Sequence, residues 1–274
     1  MKGFRKVTNR AIPVLLGCLL KTSFPAYATE HPLLTPTEAY NWSEIMNVPA
    51  NSTLEGNQVL HLNGKNKYYK TDPKAVNIVN HYFKNAKALD SDADVLHYAS
   101  AAVTIKSGYY LEMGVGTGST ANFLATLNPT RKVYGFDSFE GLPTDWDTGD
   151  NVLKAGTFGL KRKEAKIPVL KNVVVYKGFF KEVLPTFKQQ VLKDNPIALL
   201  HIDSDTYDSA KDALTILEKN IKPGTVIVFD EFYNYPNFDQ HEWKAFQEFI
   251  AEHHLQVEYI AYNKMHEQAV VKIL

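Results

Sequence analysis

Hydrophobic positions along this chain alternate between two rhythms. Short runs at 109–113, 131–137, 172–177, 196–202 and 225–229 are rich in apolar residues, with the polar ones mostly at their ends. Between them lie stretches with apolar residues three and four apart, at 119–127, 181–192, 209–219 and 241–254. The first kind predicts strands buried on both faces, and the second predicts helices that cover them. Val257–Asn263 and Gln268–Leu274 close the series as an antiparallel pair. The pattern predicts an α/β fold with a doubly wound, seven-stranded, mostly parallel sheet over residues 91–274. Ahead of it, Asp72-Pro73 opens a predicted helix to about Ala86, with Val76, Ile78, Val79, Tyr82 and Phe83 on one face. A second predicted helix runs from Ser91 to Ile105. Residues 29–90 are expected to form a helical cap or N-terminal extension, with plain packing as the alternative.

The chain has 274 residues, 45% of them hydrophobic, with 30 basic and 30 acidic side chains. That supports one full core and gives no electrostatic footprint for duplex nucleic acid. Residues 1–28 change the picture. Lys2, Arg5, Lys6 and Arg10 precede a short apolar run from Ala11 to Leu20, too short to span a bilayer, and Ala26-Tyr27-Ala28 resembles a cleavage site. This predicts a secretory leader, with an organellar transit peptide or a plain basic N-terminus as alternatives. The only cysteine is Cys18, inside that segment, so thiolate chemistry is excluded for the folded domain.

The candidate chemistry begins at Tyr109–Thr120, where an apolar strand runs through Glu112 into Gly114-Val115-Gly116-Thr117-Gly118-Ser119 and then a helix. The glycines allow a tight turn against a ligand, and the helix presents free N–H groups to it. The spacing E-x-G-x-G-x-G, with Ser119 where a dinucleotide fingerprint has its third glycine, matches the first motif of class I methyltransferases that bind S-adenosylmethionine (SAM). Asp137 ends the next strand and is placed to accept hydrogen bonds from ribose hydroxyls. Ser138 follows it, and Gly178-Phe179-Phe180 follows the third strand, where an aromatic ring can stack on adenine. Glu112, Gly114, Gly116, Gly118, Ser119, Asp137, Ser138, Gly178 and Phe179 form the candidate cofactor set. The long stretch Thr144–Pro168, with Lys161-Arg162-Lys163, reads as a lid or binding loop.

The fourth and fifth strands end in Asp203-Ser204-Asp205 and Asp230-Glu231. Neighbouring strands bring these carboxylates together, and they repel unless a cation or shared proton intervenes. Asp203, Asp230 and Glu231 are the candidate ligands for Mg²⁺. Asp205 and Asp208 have an alternative as helix caps.

The chain resembles the macrocin O-methyltransferase-like family. The resemblance rests on Leu111–Gly118, Gly135-Phe136-Asp137-Ser138-Phe139-Glu140-Gly141-Leu142-Pro143, Lys177–Phe180, Leu184-Pro185, His201–Ser209 and Pro223–Glu231. It implies SAM binding by the Gly114–Gly118 turn with Asp137 on the ribose. It also implies Mg²⁺ on Asp203 and Asp230-Glu231, and Asp203 as general base toward a small-molecule hydroxyl, such as one on a sugar or secondary metabolite. Members of the family carry an Asp pair where this chain has Asp230-Glu231. The alternative is a non-catalytic or exported SAM- or nucleoside-binding protein on the same scaffold, motivated by the leader, because SAM is made inside cells. A homo-oligomer and a cytoplasmic location both remain open from sequence.

Overall fold

Chain order in the computed structural model runs as follows. The elements are β1 (Tyr40–Asn41), α1 (Pro73–His81), β2 (Lys87–Leu89), α2 (Asp92–Ala102), β3 (Tyr109–Met113), α3 (Ser119–Leu127), β4 (Val133–Asp137), β5 (Trp146–Asp147), β6 (Val152–Leu153), β7 (Pro168–Val169), β8 (Val173–Lys177), α4 (Phe180–Phe187), β9 (Ile197–Ile202), α5 (Tyr207–Leu217), β10 (Val226–Phe229), α6 (Glu242–Glu252), β11 (Val257–Asn263) and β12 (Ala269–Ile273). The structure describes residues 40–41, 72–160 and 167–274. The predicted leader, the rest of the stretch before Asp72, and Lys161-Arg162-Lys163 lie outside the described residues.

The main sheet has eight strands in the order β2-β11-β12-β10-β9-β3-β4-β8. Only β12 runs antiparallel to its neighbours. The pattern predicted seven strands, and the eighth is β2, which adds in parallel to the edge of β11. Its three residues, Lys87-Ala88-Leu89, are too few to show a period and follow a predicted helix that ends early, at His81. Asp72 caps that helix, accepting from the N–H groups of Lys74 and Ala75, and Pro73 opens it. Ser91 caps α2 in the same way through the N–H of Asp94.

Side chains alternate across the strands, so the sheet has two apolar faces. Leu111, Met113, Phe136, Leu200 and Ile202 share one core with Leu184 of α4, Leu214 of α5 and Phe246 of α6. Tyr110, Val133, Val175, Leu199 and Val228 share the other with α2 and α3. Strand order reverses at β3, which pairs with β4 on one side and β9 on the other. Ligand sites in such sheets lie beyond the strand ends at this point. The predicted helix 181–192 divides into α4 and a π turn, Lys188–Leu192, with Pro185 inside α4. Among the described residues, no helix is long and apolar enough to cross a membrane.

Candidate active site

A cavity of about 960 Å³ opens beyond the tips of β3, β4, β8, β9 and β10. This is at the upper end of the range for small-molecule sites, and larger than one nucleoside needs. Gly114, Gly116, Ser119, Asp137, Ser138, Phe179, Asp203 and Glu231 of the predicted set line it. Glu112, Gly118, Gly178 and Asp230 of that set do not.

The Gly-rich turn is shaped by its contact with β9. Gly114 has φ +95°, and a Cβ there would lie 1.7 Å from the carbonyl oxygen of Asp203. The two strand tips are tied by the N–H of Asp203 donating to Met113 O at 2.9 Å. Asp137 closes the turn from the other side. Its Oδ2 accepts from the N–H groups of Val115 at 2.8 Å and Gly116 at 2.7 Å, and its Oδ1 from Phe139 N–H at 2.6 Å. A carboxylate has about four acceptor sites, so capacity remains for a ligand hydroxyl. Ser138 Oγ accepts from Glu140 N–H. Phe179 precedes α4, and its N–H donates to Glu182 Oε2 at 3.3 Å.

Glu112 does not line the cavity and is fully buried. Its Oε1 accepts from the Thr120 hydroxyl at 2.5 Å, and its Oε2 lies 3.7 Å from His201 Nδ1. His201 Nε2 in turn lies 3.5 Å from Asp230 Oδ1, which also accepts from Gln268 Nε2 at 2.5 Å. Burial works against a charged imidazole, but Asp230 and Glu112 outweigh it and hold His201 well above its usual range. For Asp230, burial raises the carboxyl, yet hydrogen bonding and attraction to His201 win and lower it to about 2. His201 thus stands between the carboxyl groups of Glu112 and Asp230, linking β3, β9 and the tip of β10. Sequence reasoning missed His201. Its signal was a lone polar residue near the end of an otherwise apolar run.

The other strand-tip acids behave oppositely. Burial, followed by the charge of Asp230, pushes Asp203 and Glu231 well above the carboxylate range, and pushes Asp205 up to about 7. Asp205 lines the cavity at φ +61°. The helix-cap role falls instead to Thr206, whose Oγ1 accepts from Ser209 N–H. Glu231 Oε2 is buried and has no hydrogen-bond partner. Atoms of His201, Asp203 and Asp230 converge within 4.8 Å of one another; of the predicted ligands this group holds Asp203 and Asp230, and Glu231 stands outside it. Carboxyls raised first by burial and then by one another's charge, together with an orphaned buried carboxylate oxygen, fit a hard divalent cation.

This electrostatic state has a measurable consequence. A carboxyl whose folded pKa exceeds its unfolded value near 4 binds more protons when folded, so stability falls as pH rises. His201, raised in the fold, also stabilises at low pH and loses that contribution as pH rises through its folded pKa. The chelator-treated protein is therefore expected to melt about 4 °C or more higher at pH 5 than at pH 8, which corresponds to roughly 1–2 kcal/mol for a chain of this size. Calorimetry checks this, and an equal or higher melting temperature at pH 8 contradicts the assigned protonation.

The predicted cap and lid take definite places. α1 buries Ala75 and Ile78, and α2 packs against the second core; neither lines the cavity. Described residues 144–160 include a hairpin, β5 with β6, docked on the segment before α6. Trp146 packs edge-on to Tyr235 and His241, and Asn237 N–H donates to Thr148 O. From this segment Thr144, Phe158 and Leu160 face the cavity.

A doubly wound sheet with this Gly-rich turn, strand-tip acid and cavity defines a class I SAM-dependent methyltransferase. The Macrocin-O-methyltransferase (TylF) family model matches residues 100–265, and the chain belongs to that family. Among solved structures, the calicheamicin methyltransferase CalS11 is similar at 18% identity and TM-score 0.52, covering 84% of this chain and 90% of that one. The O-methyltransferase NovP aligns at 21% identity and TM-score 0.45, covering 66% of this chain and 78% of that one. No curated protein matches this chain.

Proposed function

We propose that this methyltransferase moves the SAM methyl group to a hydroxyl oxygen of a small molecule, with Mg²⁺ assisting. The observation that carries the reading is the convergence of Gly114, Gly116 and Thr117 of the Gly-rich turn and the carboxylates Asp203 and Glu231 on one cavity. The family's name supports an oxygen atom as the methyl acceptor.

The Gly-rich turn and the first N–H groups of α3 hold the amino-acid end of SAM. Asp137 receives the ribose hydroxyls while it keeps the turn closed. Phe179 presents its ring toward the base. Asp203, Asp230 and Glu231 would hold Mg²⁺, which when bound lowers the pKa of an acceptor hydroxyl. Asp203 takes the hydroxyl proton while the methyl carbon exchanges its bond to sulfur for one to oxygen. Holding sulfur, methyl and oxygen in line supplies much of the acceleration.

The test is a calorimetric titration of SAM into the wild type and Asp137→Ala. Low-micromolar binding is expected for the wild type, weakened about tenfold or more in the variant, since a charge-assisted contact of about 1.5–3 kcal/mol is lost. Small-molecule hydroxyl acceptors, sugars and secondary metabolites among them, are then screened with and without Mg²⁺. Absence of SAM binding in the wild type defeats the proposal, and full activity after chelation defeats its metal part.

A further inference from the structure

Glu242 lies in the first turn of α6, outside the cavity, and is fully buried. An acid in such a place is expensive unless its oxygens are used. Here both are. Oε1 accepts from the backbone N–H of Ser204 at 3.2 Å and from its hydroxyl at 3.2 Å. Oε2 accepts from the N–H of Glu231 at 3.2 Å. Ser204 directly follows Asp203, and Glu231 directly follows Asp230. One side chain therefore grips the turn after β9 at the neighbour of Asp203, and the turn after β10 at Glu231, itself a proposed Mg²⁺ ligand and the neighbour of Asp230. Backbone pairing between the two strands continues only to the N–H of Asp230, which donates to Ile202 O at 2.9 Å. Beyond that point Glu242 provides the connection.

We propose that Glu242 is a positioning residue that sets the spacing between Asp203 and the Asp230-Glu231 pair, and so sets affinity for the divalent cation. This rests on the metal reading above. Glu242→Gln keeps the volume but turns one acceptor into an NH₂ group facing an N–H donor, so one of the two turns is released. Glu242→Asp keeps the carboxyl group but is one methylene too short to reach both.

Mn²⁺ serves as the probe, its binding followed by electron paramagnetic resonance on wild type, Asp230→Asn, Glu242→Gln and Glu242→Asp, each with a thermal melt and a SAM titration. The expected result is Mn²⁺ binding about 10–100-fold weaker in both Glu242 variants, with SAM affinity within about twofold of wild type. A folded Glu242 variant that binds Mn²⁺ like wild type overturns the proposal. Loss of folding in both variants also overturns it, because the residue then serves the core alone. If the wild type fails to bind Mn²⁺, or Asp230→Asn binds it normally, the metal reading itself has failed, which is a separate outcome.

Discussion

Asp203→Asn is expected to lower kcat for methyl transfer about 10³-fold, within the range for loss of a positioned general base. SAM affinity should change by no more than about twofold, because the Gly-rich turn is closed by Asp137 and not by the Asp203 side chain. The reason for the large effect is electrostatic. Asp203 lines the cavity at the tip of β9, and its carboxylate form, which a bound cation favours, is the one that accepts the proton. Asparagine keeps the shape and cannot take a proton. Single-turnover kinetics with saturating SAM isolate this step. Retention of more than a tenth of the wild-type rate would move the base elsewhere, with Asp205, raised to about 7 and lining the same cavity, next in line.

The second large effect is structural. Gly114→Ala is expected to destabilise the protein by about 4 kcal/mol or more and to abolish SAM binding. A Cβ at this position would lie 1.7 Å from Asp203 O, and the backbone φ of +95° is strained for any L side chain. The conformational penalty alone is about 1–2 kcal/mol. Relieving the overlap means separating β3 from β9, which are paired along Tyr109–Met113. At this chain length the loss lowers the melting temperature by about 10 °C. Gly116→Ala is the control. It shares the positive φ, at +50°, but a Cβ there meets nothing within 4 Å, so its stability loss should stay near about 1 kcal/mol. Equal melting temperatures for the two alanine variants would refute the close approach of the strand tips.

The strands that build the cavity were legible because burial on both faces leaves an unmistakable apolar run, as in Ile197–Ile202. The Gly-rich turn was legible because its glycines answer local backbone demands. What escaped has a common cause: its meaning depends on partners distant in the chain. β2 is a strand only because β11, more than 160 residues later, offers an edge. His201 reads as an odd polar residue until Glu112 and Asp230 are set on either side of it. Glu242 sits inside a helical pattern where an acid in the first turn is unremarkable. The hairpin at 146–153 was hidden because two-residue strands have no period, and Trp146 finds its partners, Tyr235 and His241, some ninety residues on.

One consequence concerns where this enzyme begins and ends as a physical object. The family-matched stretch covers residues 100–265. Asp92, ahead of it, accepts from Asn263 Nδ2 at 2.6 Å; Asn263 donates also to Gln268 Oε1 at 3.2 Å; and Gln268, beyond its far limit, donates to Asp230. This polar cable enters at the start of α2, runs through the two ends of the turn between β11 and β12, and terminates on a strand-tip acid. The recognisable family segment is thus shorter than the unit that holds its own site in shape, and the anchorage for that site lies partly in the flanks that family membership leaves unaccounted for.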